Sequence, residues 1–225
     1  MAVDRRRVRA IHRRLERHFG ELLPPRRSDP LDELILTVLS QHTSDVNAER
    51  AFASLRRTFP TWEDVLRARP EEVADAIRTG GLANTKAPRI QAILREIRER
   101  EGRHDLSSLR RMSDREATEY LSSLPGVGPK TAAVVLAFSL GRDALPVDTH
   151  VHRITTFLGL NRRKAADWKT ARALTDVLAT FDAGDPVRYD FAICRLGVLD
   201  LCSTKRRKEN CDVCQLREAC RFPVG

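Results

Sequence analysis

Apolar residues in this 225-residue chain recur at the spacing of an α-helix and almost nowhere at the two-residue spacing of a strand. Leu31, Leu34, Ile35, Val38 and Leu39 run i, i+3, i+4, i+7, i+8. Ile90, Ile93, Leu94 and Ile97 repeat the pattern, as do Leu174, Val177, Leu178 and Phe181. Near the start, Val8, Ile11, Leu15 and Phe19 form one stripe, while Arg5, Arg6, Arg7, Arg13, Arg14 and Arg17 lie mostly off it. Ser113 and Glu116 read as a capping box ahead of a helix whose stripe continues through Leu121 to Leu124. Breaks fall at Pro24-Pro25, Pro60, Pro70, Gly80-Gly81, Pro125-Gly126 and Pro146. The pattern predicts an all-α protein of about ten or eleven helices with short joints.

Charge narrows the class of partner. The chain carries 40 Lys+Arg against 31 Asp+Glu, a net charge of +9. Residues 1–30 and 201–225 hold most of the excess and the middle is nearly neutral, which suits a localised surface facing a polyanion. All but six of the basic residues are arginine. Chemistry that needs a primary amine therefore has few candidates: Lys86, Lys130, Lys164, Lys169, Lys205 and Lys208. The longest apolar run, Ala132 to Phe138, falls well short of the ~20 residues of a membrane span. MAVDRRRVRA lacks the apolar core of a secretion signal. A cytoplasmic protein without a membrane partner is expected, nucleoid-associated if the cell is prokaryotic.

The segment Leu121 to Phe138 joins two helical patterns through the tight turn Pro125-Gly126-Val127-Gly128-Pro129. Gly126 and Gly128 allow backbone angles that other residues resist, and Pro129 suits the first position of a helix. The N–H groups of the turn and of the helix start form a phosphate site. Lys130 sits beside it, either as a phosphate contact or as an amine nucleophile, a role arginine cannot fill. Asp148, ahead of Thr149-His150-Val151-His152, is a natural N-cap. Five cysteines, at 194, 202, 211, 214 and 220, crowd the end of the chain. The last four, spaced C-x8-C-x2-C-x5-C, point to a metal, either zinc or an iron–sulfur cluster. Cys194 lies on the row Phe191, Cys194, Val198 and reads as a buried structural thiol.

The string L-P-G-V-G-P-K-T-A at 124–132 resembles the helix-hairpin-helix of the endonuclease III family of DNA glycosylases. Pro146-Val147-Asp148-Thr149-His150-Val151 resembles the family's second signature, with Asp148 eighteen residues after Lys130. Gly81-Leu82-Ala83-Asn84-Thr85-Lys86-Ala87 and Leu39-Ser40-Gln41-His42-Thr43-Ser44-Asp45 resemble two further loops, so that the likeness runs from about residue 30 to 221. The resemblance implies a Schiff base on Lys130, proton transfers assisted by Asp148, and DNA phosphate held by Gly126, Val127, Gly128 and Thr131. It further implies a [4Fe–4S] cluster on Cys202, Cys211, Cys214 and Cys220, with zinc as the alternative. The eight residues between Cys202 and Cys211 exceed the family's usual spacing. Lys205, Arg206, Arg207 and Lys208 lie in that longer loop and would face phosphate. Leu82 is the implied wedge beside the flipped base. The family's plug glutamine aligns with His42 and Gln41 takes its alanine position, so both stay candidates for the gap.

These expectations combine into a two-lobed all-α protein. One lobe is a helical barrel of residues 28–140; the other joins 1–27 to 141–225 and carries the cluster. The expected function is base-excision repair: release of oxidised pyrimidines from duplex DNA through a lysine Schiff base, then β-elimination at the abasic site. A thymine or uracil mismatch glycosylase on the same scaffold, or a non-catalytic DNA-binding protein, are the alternatives. The expected partner is double-stranded DNA with a damaged base or an abasic site, bound by a monomer.

Overall fold

A computed structural model describes residues 5–20, 28–142, 144–160, 214 and 216–220. All regular elements among these residues are helical. The chain divides into two compact units, one made of Met1–Arg26 with Asp143–Gly225 and the other of Arg27–Arg142.

In the first of these, α1 (Arg5–Phe19) buries Val8, Ile11 and Leu15 and exposes Arg6, Arg9, Arg13 and Arg17. That is the split its sequence stripe predicts. Arg14 pairs with Glu218, on a short 3-10 turn at Arg217–Ala219. The stripe from Leu174 to Phe181, the residue Cys194 and the side chain of Phe19 lie outside the described residues.

The second unit starts with α2 (Pro30–Ser40). Asp29 caps it, its Oδ1 accepting from the N–H groups of Leu31 and Asp32 at 2.9 and 3.2 Å, and Pro30 fills the first position. Leu31, Leu34, Ile35, Val38 and Leu39 are all buried along it. There follow α3 (Asp45–Thr58), α4 (Trp62–Arg67), α5 (Pro70–Ala76) and α6 (Ala83–Glu101), with a 3-10 turn at Arg78–Gly80. Thr61 and Asp64 close a capping box at α4, and Pro70 opens α5. Ile90, Ile93, Leu94 and Ile97 are buried on α6. Pro88 lies inside α6, unmarked by the apolar pattern, and removes the N–H that would bond the Asn84 carbonyl. The buried stripe that follows it holds the helix by packing.

After a 3-10 turn at Ser107–Arg111, α7 (Asp114–Ser122) opens on the expected capping box. Ser113 Oγ and the Ser113 N–H both donate to the Glu116 carboxylate, at 2.6 and 2.8 Å. The hairpin leads into α8 (Pro129–Val134), which continues as a π-helical segment, Val135–Ser139. The apolar run from Ala132 is buried through Ala137. Arg142 ties the end of this stretch back, donating to the Leu109 carbonyl and to Asp114 at 2.6 and 3.1 Å. In the first unit the chain resumes as α9 (Thr149–Phe157), with Val151, Ile154 and Thr155 buried.

Candidate nucleic-acid interface

Between α7 and α8 the chain turns in two steps: the Leu124 N–H donates to Leu121 O and the Val127 N–H to Leu124 O, each at 3.1 Å. Gly126 has φ +71°, where a side chain is strained. A Cβ added there would also stand 2.7 Å from Cδ and Nε of Arg89. Gly128 departs from expectation: at φ −97° and ψ 176° it has ordinary extended geometry, and a Cβ there would meet open space. Only Gly126 is conformationally required. The first helical bond of α8 runs from Ala132 N–H to Gly128 O at 3.0 Å. The N–H groups of Gly128, Lys130 and Thr131 precede that bond, and Pro129 has none, so three donors have no helical acceptor at a start without a side-chain cap. Val127 and Thr131 are buried, so their side chains shape the turn from within, and Thr131 offers a ligand only its main chain. Lys130 is exposed, an ammonium beside a cluster of main-chain donors.

Two loops of the same unit carry the expected gap-filling residues. Ser40 to Thr43 form a turn closed by the Thr43 N–H on Ser40 O at 3.3 Å, with Gln41 at φ −60°, ψ 125° and His42 at φ +57°. These angles match a type II turn, whose third position favours glycine. Leu82 has φ +49° and is 57% exposed. Among the described residues, His42 and Leu82 are the non-glycine residues with positive φ. Both are exposed, and such strain collects where geometry serves a ligand. Gln41 is half-buried instead, and its Oε1 accepts from Arg89 Nη1 at 3.1 Å. The neighbouring residues thus divide: Gln41 is anchored inward and His42 is presented outward.

Lys86 and Arg89, both on α6, bind these loops to the rest of the unit. Lys86 is almost fully buried, and its Nζ donates to Leu39 O and Gly80 O, each at 2.7 Å. It thereby joins the end of α2, just before the His42 turn, to the turn before Leu82. Burial, with the Arg89 guanidinium adding to it, pushes the Lys86 ammonium below the ordinary lysine range. Sequence reasoning gave neither residue a role. The one available signal was Lys86 itself, a lysine kept in a chain that uses arginine nearly everywhere. A compact ammonium fits between two carbonyls where a planar guanidinium does not.

Asp148 belongs to the other unit. It caps α9 as expected, its Oδ1 accepting from the His150 and Val151 N–H groups at 2.9 and 2.8 Å, which fixes the carboxylate's direction. Cys214 and Cys220, both half-buried, bracket the turn at Arg217–Ala219, with the Arg217 N–H on Cys214 O at 3.0 Å and the Cys220 N–H on Arg217 O at 3.2 Å. Leu216 between them is buried. Cys202, Cys211, Lys205, Arg206, Arg207 and Lys208 lie outside the described residues. Among the described residues, no three His, Cys, Asp or Glu side chains are placed to hold a metal ion. No helix there is long and apolar enough to cross a membrane.

An endonuclease III from Thermotoga maritima is 35% identical over 220 residues, covering 96% of this chain and 91% of its own length. The chain belongs to the endonuclease III family. It is an enzyme of that family's kind, a base-excision-repair DNA glycosylase. The Arabidopsis thaliana protein named "Putative DNA glycosylase" is 48% identical over 129 residues, 57% of this chain and 44% of its own length. An endonuclease III solved as a trapped covalent intermediate with DNA shares the fold, with a TM-score of 0.78 at 24% identity over 98% of this chain and 97% of that one. A family described as "Protein of unknown function (DUF2400)" matches residues 142–199, most of which lie outside the described region.

Proposed function

We propose that this endonuclease III family member is a bifunctional glycosylase and abasic-site lyase acting on oxidised pyrimidines in duplex DNA, with Lys130 as the nucleophile. The observation that carries the reading is the hairpin, where an exposed primary amine stands at a helix start whose three N–H donors have no helical acceptor. The donors hold a backbone phosphate and leave the amine next to the sugar of that strand. Lys130 Nζ, once deprotonated, attacks C1′; the C1′–N bond breaks and its electron pair leaves with the base, which takes up a proton. Opening of the sugar ring gives the Schiff base. Loss of a C2′ proton then expels the 3′ phosphate, and water releases the lysine. Asp148, fixed by its two N–H bonds, is the group for proton transfers and for stabilising cationic sugar. His42 fills the gap left by the flipped nucleotide and Leu82 wedges beside it, because these residues are exposed and held in strained backbone while Gln41 is tied down.

Cys202, Cys211, Cys214 and Cys220 would hold a [4Fe–4S] cluster. The two described cysteines fit it, being half-buried thiols at the two ends of one short turn. Such a cluster would tie the four cysteines together and so fasten the C-terminal loop that carries Lys205, Arg206, Arg207 and Lys208.

Borohydride trapping tests the reading. Wild-type protein on duplex DNA carrying thymine glycol should give a covalent complex that Lys130→Ala abolishes. Base release without a trapped complex would indicate a monofunctional mismatch-type enzyme, and binding without release a non-catalytic protein.

A further inference from the structure

We infer that Arg89 is a positioning residue that couples the His42 loop to the phosphate-binding turn of the hairpin. The inference rests on the duplex-opening function proposed above and deepens it. Arg89 is half-buried on α6 and reaches two distant segments at once. Its Nη1 holds Gln41 Oε1 at 3.1 Å, next to the strained His42. Its side chain lies so close over Gly126 that a Cβ there would stand 2.7 Å from its Cδ and Nε, and the arginine would have to move aside. The requirement for glycine at the turn is therefore twofold, a left-handed backbone and the passage of this side chain. Lys86 on the same helix fixes Leu39 and Gly80, which precede the His42 and Leu82 loops.

The cations of this unit divide by partner: some meet carboxylates, while others, such as Arg57 on Ser54 Oγ and Arg56 on the Trp62 ring, meet neutral groups. Among the described residues, Arg67, Arg69, Arg78, Arg98, Arg100 and Arg142 all pair with carboxylates. Arg89 instead meets a neutral amide and Lys86 meets neutral carbonyls, although the two lie close enough to repel. Two positive charges kept together without an acidic partner cost stability in the free protein, and a polyanion offsets that cost. A planar guanidinium can grip an amide with one terminal nitrogen while its Nε edge and the adjoining Cδ cross a glycine. Arg89 thus transmits the position of the phosphate-bound turn to the loop that fills the gap. Binding at the hairpin and plugging at His42 become a single event.

The test is a double-mutant cycle in the full-length protein. Arg89→Met keeps the stem and removes the guanidinium; Gln41→Ala removes its acceptor. Affinity is read for a duplex carrying a tetrahydrofuran abasic analogue, and 2-aminopurine fluorescence opposite that site reports unstacking. Each single variant should bind roughly tenfold more weakly, the double variant no more weakly than either, with the 2-aminopurine signal reduced in all three. Arg89→Lys should not rescue, since it keeps the stem over Gly126 but replaces the planar Nη1 donor to Gln41 with a point charge. Additive losses in the double variant, or a change in melting temperature with affinity and fluorescence intact, would overturn the inference while leaving the proposed function standing. Failure of the wild-type protein to bind the abasic duplex would overturn both.

Discussion

At His42 and Leu82, side chains expected to enter the DNA stack occupy backbone angles that glycine would adopt without strain. Replacing Leu82 by Gly should therefore raise the stability of the free protein by about 1 kcal/mol, in spite of the lost side chain, because Leu82 is exposed and buries little. The same change should slow base release, and thermal melting beside an excision assay would show the two effects moving in opposite directions. Lys86 makes the reverse case. Lys86→Met leaves the carbonyls of Leu39 and Gly80 without their donor and should cost about 2–4 kcal/mol in denaturant unfolding. Glu33 supplies a pH signature. Its carboxyl accepts from Ser28 Oγ at 2.6 Å, yet burial pushes it above the ordinary glutamate range of 4.5. A carboxyl raised in the folded state binds its proton more tightly there than in the unfolded chain. Its contribution to stability is therefore gained as pH falls from the raised value toward 4.5 and lost again as pH rises. Glu33→Gln should remove that slope, seen as a wild-type-minus-variant difference in melting temperature that grows on acidification.

The hairpin shows how two glycines in one short turn acquire different duties. Gly126→Ala introduces a Cβ at φ +71° and against Arg89, and should destabilise by about 1–2 kcal/mol while weakening DNA binding. Gly128→Ala places its Cβ in open space at an angle any residue adopts, and should stay within about 0.5 kcal/mol of the wild type in chemical denaturation. The sequence marks both positions alike, as a Gly-x-Gly turn ahead of a proline. The caps were legible at the same level of detail. Ser113 with Glu116 and Asp148 ahead of α9 both form the bonds their spacing implies, because a cap is completed within one turn of its own residues. The joining of the Gln41, Leu82 and Gly126 loops was not legible. Their connectors, Lys86 and Arg89, make contacts that depend on how α2, α6 and the hairpin pack.

For the molecule as a whole, a net charge of +9 predicts binding dominated by phosphate neutralisation. The affinity for undamaged duplex should fall linearly with salt on logarithmic axes, and the salt slope, read by titration, should shrink by about one for each phosphate contact that a charge-removing substitution takes away. The chain by itself determined the helical class, the stripes that became buried cores on α1, α2 and α6, and the local chemistry of the hairpin and of Asp148. Periodicity and capping are short-range, so a few neighbouring residues suffice to specify them. Only the tertiary structure decided that Gln41 turns inward and His42 outward, that Gly126 rather than Gly128 needs to be glycine, and that two cations on one helix contact the loops. Those outcomes follow from side chains meeting across segments far apart in the chain, where packing brings atoms into contact and no local spacing records it.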